Sequence, residues 1–213
     1  MKESVGKKMK MLSGYLVTDS LYNGYLLVTM LLPCLIYQGI LETKAKKNAK
    51  KMSAKYYLGV YIFLVYVWAV FKVTGIGLLA DIIRPGIKGG FNWKPFDDLG
   101  IGFVLNIVMF LPLGFLVPWF WKKCANVKYV ILLGFCFSLM IECSQIFNGR
   151  ATDIDDLIAN TFGAFLGYVL WMVVRKIVRE KNVNGEVEER KWEPGIYIVL
   201  AFAGAFFLYN PYV

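Results

Sequence analysis

Six apolar blocks, each about twenty residues long, constrain this 213-residue chain more than any other feature. They run roughly over Tyr22–Leu41, Tyr56–Leu79, Ile101–Trp121, Tyr129–Phe147, Leu157–Val174 and Ile196–Val213. A bilayer core about 30 Å thick is crossed by an α-helix of about 20 residues. Inside lipid every peptide group must find its partner within the segment, so blocks of this length read as helices. The expected fold is all-α, a polytopic transmembrane bundle of about six helices in a cell membrane. Composition agrees: 58% of residues are hydrophobic and 18% charged, against roughly 45–50% and about 25% in soluble domains. The basic start, MKESVGKKMKMLSG, resembles the head of a signal peptide. The apolar run after it is too long and no small-residue cleavage site follows, so an uncleaved helix is expected.

Lysine and arginine set the orientation. The loops at 42–55, 122–128 and 175–195 hold 15 of them, and the opposite side holds 8. The positive-inside rule places the 15 in the cytoplasm and both termini outside. The four N-terminal lysines oppose this; if the first block did not span, only the N-terminus would change sides. The net charge of +9 is thereby explained as anchoring on anionic lipid, and no nucleic-acid partner is expected. The stretch 180–193, EKNVNGEVEERKWE, reads as a solvated linker. The chain has no histidine, which excludes Ser-His-Asp and Cys-His catalysis, HExxH zinc sites and histidine relays. Cys34, Cys124, Cys136 and Cys143 lack CxxC spacing, and neither a disulfide nor a zinc site is expected.

Ionisable residues inside a membrane are costly and point to function. Lys72 and Glu142 are the clear cases, with amides at Asn106, Gln145 and Asn160. At 1.5 Å per residue, Asn106 and Glu142 both lie about 7–8 Å below the outer surface, and Asn160 about 5 Å below it. Ser138, Glu142 and Gln145 share one helix face, as do Asn160, Gly163 and Gly167. The Gly163–Gly167 pair is a GxxxG motif, which permits close helix approach. Amides at such positions also serve simply to hold helices together. A buried carboxylate needs a cation or a proton, and Lys72 or Arg150 would supply the cation, unless Lys72 snorkels to the rim. In the loop Asn148–Asp156, Thr152 or Asp153 caps the next helix, while Asp153, Asp156 and Asn160 continue its inner face. Asp155 is expected to point elsewhere, into solvent. A divalent cation on Asp153, Asp156 and Glu142 is the alternative to a metal-free site; no metal and no cofactor are expected. Pro112 is expected to kink its helix rather than end it.

These same strings carry a resemblance. NIVMFLPLG from Asn106, IECSQ over 141–145 and GRATDIDDLIANTFGAFLG over 149–167, with Pro95-Phe96 ahead of them, resemble the VanZ family. The resemblance covers roughly residues 56–178. It implies a small bacterial integral membrane protein, in a family whose namesake is associated with resistance to the glycopeptide antibiotic teicoplanin. On this reading the chain divides into an extra helix and basic loop (1–55), a four-helix VanZ-like core (56–178), and a linker with a last helix (179–213). Asn106, Pro112, Gly114, Glu142, Gln145, Arg150, Asp153, Asp156, Asn160, Gly163 and Gly167 match the family's motif. Three functions compete. The first is binding of a membrane lipid, lipid-linked wall precursor or lipoglycopeptide antibiotic at an outer-leaflet site. That site comprises Asn106, Glu142, Gln145, Arg150, Asp153, Asp156 and Asn160, rimmed by Phe91, Trp93 and Phe96. The second is a membrane enzyme acting on a lipid-linked substrate with Glu142 as acid/base, for which Ser138 and Ser144 are poor nucleophiles. The third is a transporter, for which no inverted repeat is visible. Binding ranks first.

Overall fold

A computed structural model describes residues 2–48, 52–83, 90–96, 99–178 and 190–212, with side chains from Asp19 onward. Lys50, Lys51, Arg84, Lys88, Arg179, Lys181 and most of the 180–193 linker lie outside the described residues. The helices are α1 (Lys2–Lys47), α2 (Ala54–Thr74), α3 (Leu79–Ile82), α4 (Ile101–Phe120), α5 (Val127–Gln145), α6 (Ile154–Val178) and α7 (Glu193–Leu208). The strands β1 (Phe91–Asn92) and β2 (Thr152–Asp153) pair in parallel. The described residues are thus all-α but for this one short bridge. Among them, five helices are long and apolar enough to cross a membrane, and α7 is a shorter apolar helix of 16 residues.

Local chemistry explains where the helices begin and end. Ser53 caps α2 by accepting from the Tyr56 N–H, and Asn126 caps α5 by accepting from the Lys128 N–H at 2.9 Å. α2 stops at Thr74, short of the expected Leu79, because Gly75 takes the left-handed conformation (φ 61°) that closes helix C-termini. α7 begins three residues before the expected Ile196, since Pro194 suits a first helical turn. It ends before Pro211, which cannot continue a helix. α1 is far longer than its expected block. Its 46 residues correspond to about 69 Å, more than twice a bilayer core. α4 runs unbroken through Pro112 and Pro118, so neither proline ends it. The Tyr66 hydroxyl donates to the Met109 carbonyl beside that stretch at 3.2 Å.

The centre is aromatic. Phe71, Phe110 and Phe137 are buried, with the Phe137 ring centroid 5.8 Å from that of Phe71 and 5.4 Å from that of Phe110. The outside is equally apolar: Leu58, Ile62, Val65, Val104, Leu105, Val108, Leu132 and Leu139 are all exposed. Apolar residues around the whole circumference are the mark of a helix meant for lipid. α4 and α6 form the closest pairing. An added Cβ on Gly114 would lie 1.9 Å from the Ala164 carbonyl oxygen, and one on Gly167 would lie 2.0 Å from that of Leu111. Glycine therefore lets these backbones touch, as the GxxxG spacing predicts.

One part of the 180–193 linker departs from expectation. Glu193 is 1% exposed rather than solvated. Its carboxylate accepts from the Tyr56 hydroxyl, which also contacts the Tyr197 hydroxyl at 3.4 Å. Helix α7 begins at Glu193, so the packing of α7 on α1 and α2 carries this side chain inside.

Candidate functional site

The site grows from the turn between α5 and α6. Glu142 sits near the end of α5, 3% exposed, and does not face lipid. Its Oε2 accepts from the Asp153 N–H at 3.1 Å, and its carbonyl accepts from the Thr152 hydroxyl at 3.0 Å. One residue of α5 thereby fixes the returning strand β2. Asp153 then does two things. Its Oδ1 accepts from the Asp155 N–H at 2.9 Å, which caps α6. Its Oδ2 accepts from Asn92 Nδ2 at 3.1 Å, which ties in the loop carrying β1. Further along, Asp156 accepts from Asn106 Nδ2, bridging α6 to α4. Asn160 donates to the Ser138 hydroxyl at 2.9 Å, bridging α6 to α5. The Asn160 side-chain oxygen Oδ1 is buried and has no partner among the described residues.

Asp155 corrects the sequence reading. It is 2% exposed, not solvated, and its Oδ1 accepts from the Phe96 N–H at 2.6 Å. Helix periodicity puts Asp155 off the inner face, but the β1–β2 bridge folds the 90–96 segment over that side. Phe96 adopts φ 66°, unusual for a residue with a side chain. Phe91 and Trp93 stack at 5.4 Å and both are exposed.

Arg150 is the second correction. Its guanidinium donates to the Thr74 carbonyl instead of pairing with a carboxylate. Gln145 Nε2 donates to the same oxygen at 2.7 Å, and Asn148 Nδ2 donates to the Gly75 carbonyl at 2.8 Å. The physical cause is the end of α2. Its last carbonyls lack helical partners and carry the negative pole of the helix dipole, which attracts a cation and amide donors. Gly77 makes this clasp possible, since a Cβ there would lie 1.8 Å from the Ser144 carbonyl oxygen. Lys72 is exposed, 5.9 Å over the Trp68 ring, which is the snorkelling alternative. Among the described residues no lysine or arginine makes an ion pair with Glu142, Asp153 or Asp156.

The seven sequence-picked residues therefore form no single hydrogen-bonded network. Glu142 and Asp153 are joined directly, Asn106 pairs with Asp156, Asn160 with Ser138, and Gln145 and Arg150 clasp α2. The short span from 142 to 160 keeps these groups at one end of the bundle. Asn92, Thr74 and Asn148 belong to the arrangement and were missed. Two-residue strands between distant loops leave no periodic signal, whereas Asn148 before Gly149 at least marks a turn. Among the described residues, no three His, Cys, Asp or Glu side chains stand close enough to hold a metal ion. Chemically, the arrangement offers carboxylate and amide oxygens at the end of an apolar bundle, beside exposed aromatic rings. Ser138 and Ser144 are both engaged, the latter donating to the Ile141 carbonyl and accepting from the Gly77 N–H.

The fold defines a multi-pass membrane protein, with Glu142, Asp153, Asp155 and Asp156 gathered at one end of the bundle. The VanZ/LLP1 family model matches residues 22–175, and the chain belongs to that family. Protein VanZ of Enterococcus faecium is 32% identical over 127 residues, covering 54% of this chain and 78% of that protein. No solved structure matches the chain.

Proposed function

We propose that the polar end of this VanZ-family protein binds the headgroup of a lipid-linked cell-envelope component or an amphiphilic glycopeptide of the teicoplanin type. The observation that carries this reading is the set Glu142, Asp153 and Asp156, gathered with Asn106 and Asn160 without an ion-paired cation among the described residues. A carboxylate accepts up to about four hydrogen bonds, and the bonds to Glu142, Asp153 and Asp156 described above occupy only part of that capacity. Such a group suits a ligand rich in amine and hydroxyl donors. Phe91 and Trp93 add an apolar surface at the rim. On the lysine distribution this end faces the outer leaflet, where envelope precursors and glycopeptides are met.

The test has two arms. Lipids retained by the protein from native membranes are read by mass spectrometry, and teicoplanin is titrated against the protein in nanodiscs. Wild type should retain an envelope precursor or bind the glycopeptide, and Glu142→Gln and Asp156→Asn should each weaken that binding at least tenfold while inserting normally. Failure of both arms in wild type, or unchanged binding in both variants, would overturn the reading.

A further inference from the structure

At the opposite, lysine-rich end of the bundle, α5 and α7 leave an apolar groove of about 400 Å³ between them. α7 is drawn away from α5 by its packing on α1, where a Cβ on Gly204 would lie 2.3 Å from the Thr29 carbonyl oxygen. The groove runs from Tyr129 and Trp192 at its mouth to Met140 and Leu200 at depth. The Tyr129 and Trp192 rings meet edge to face at 5.6 Å. Lys128 and Lys191, both exposed, directly precede these two aromatics in the chain. Cys124 Sγ donates to the Lys191 carbonyl at 3.1 Å, which holds Lys191 beside the 122–124 turn and its two further lysines. The Tyr129 hydroxyl is buried, against the Gly195 backbone and the Cys124 thiol.

We propose that this groove is a specific seat for an anionic glycerophospholipid. One acyl chain fills the groove, the Tyr129 and Trp192 rings flank it at the interface, and Lys128 and Lys191 take the phosphate. Each part follows from its surroundings. A lipid-facing groove lined by apolar side chains is filled by hydrocarbon. Aromatic rings such as Tyr129 and Trp192 sit at the boundary between the acyl region and the headgroups. Among the described residues the exposed charges at this end of the groove are the lysines Lys122, Lys123, Lys128 and Lys191, which select a negative headgroup over a zwitterionic one. A free phosphate ion has no use for the groove, so the occupant is a lipid.

The experiment uses the full chain in phosphatidylcholine nanodiscs containing a minority of phosphatidylglycerol, with either lipid brominated on its acyl chains. Quenching of Trp192 fluorescence is read as the difference between wild type and Trp192→Phe. Brominated phosphatidylglycerol should quench at a several-fold lower mole fraction than brominated phosphatidylcholine. Each of Lys128→Gln and Lys191→Gln should cut that preference about fivefold or abolish it. Gly195→Leu should exclude both brominated chains. The backbone there admits a side chain, because a Cβ meets Leu133 Cδ1 at 3.5 Å and the Tyr129 hydroxyl at 4.0 Å, both ordinary contacts. Equal quenching by the two lipids in wild type, a preference that survives the lysine changes, or quenching that persists in Gly195→Leu would each overturn the proposal.

Discussion

The two ends of this bundle each bury carboxylate chemistry, and they do it differently. At the lysine-rich end Glu193 is enclosed among helices, and its partner is the Tyr56 hydroxyl, with Tyr197 alongside. Tyr37, Gln38 and Trp121 also present buried polar atoms without partners among the described residues. At the other end Glu142, Asp153, Asp155 and Asp156 accept from backbone and amide N–H groups contributed by loops as well as helices. The first arrangement joins α2 to α7 and offers a ligand no opening. The second lies where chain segments turn, beside exposed aromatic rings. Burial of a carboxylate is therefore not in itself a sign of a site; what separates the two is whether the remaining oxygen lone pairs face an end of the bundle or its packed interior.

The comparison breaks most severely if α4 and α6 are forced apart. Gly167→Leu places a side chain against the Leu111 carbonyl, so it should cost about 3 kcal/mol or more by overpacking. Thermal unfolding in detergent should show that loss, and hydrogen exchange should show the Asn106–Asp156 end opening before the Glu193 end. Uniform loosening of both ends would mean that they are one cooperative unit. The next effect is on Glu193. Glu193→Leu leaves the Tyr56 hydroxyl without its acceptor and should destabilise by about 1–3 kcal/mol. Ligand binding measured as above should survive once the variant is folded. Lost binding in a folded Glu193→Leu protein would erase the distinction between the two ends.

Glu142→Gln sharpens the same distinction from the other side. The amide oxygen still accepts from the Asp153 N–H, so stability should change by no more than about 1 kcal/mol. Binding should be lost. A smaller effect is expected at the α2 clasp. Arg150→Ala removes a cation from a helix C-terminus and one carbonyl partner, while Gln145 still serves the Thr74 oxygen. Destabilisation of about 0.5–1 kcal/mol, read from denaturant melts, is the expected result. A larger loss would show that Arg150 acts on the carboxylates after all.

Five of the six expected spans were legible because composition alone dictates them, while the sixth block forms the shorter helix α7; the helix ends were less so. Ser53 and Asn126 are ordinary caps, but the stop at Gly75 depends on a φ value that an apolar run conceals. Periodicity correctly put Glu142 inside and set Asn160, Gly163 and Gly167 on the face that meets α4 and α5. It failed for Asp155, because it says nothing of a distant loop folding over a helix end. Electrostatic reasoning failed for Arg150, because it weighed carboxylates and overlooked the orphan carbonyls of α2. Glu193 was hidden by its charged neighbours, although Glu before Pro194 at the start of an apolar run is a helix-start signal that would have placed it.

The smallest expected effect is at Phe96, and it tests the rim. The residue is 61% exposed and holds φ 66° while its N–H donates to Asp155. A left-handed conformation costs a non-glycine residue about 1–2 kcal/mol. Phe96→Gly removes that cost and keeps the N–H bond, but it adds about 0.5–1 kcal/mol of unfolded-state entropy to be lost on folding. Little packing is given up at an exposed ring, so the net change in stability should lie between zero and about +1 kcal/mol, in favour of the variant. Ligand binding should nevertheless weaken, since the ring would contribute contact surface only when the site is filled. A Phe96→Gly protein that is more stable and binds as well as wild type would confine the site to its carboxylates and amides. One that is clearly less stable would show that the Phe96 ring is packed against the 90–96 segment, which would make it part of the fold.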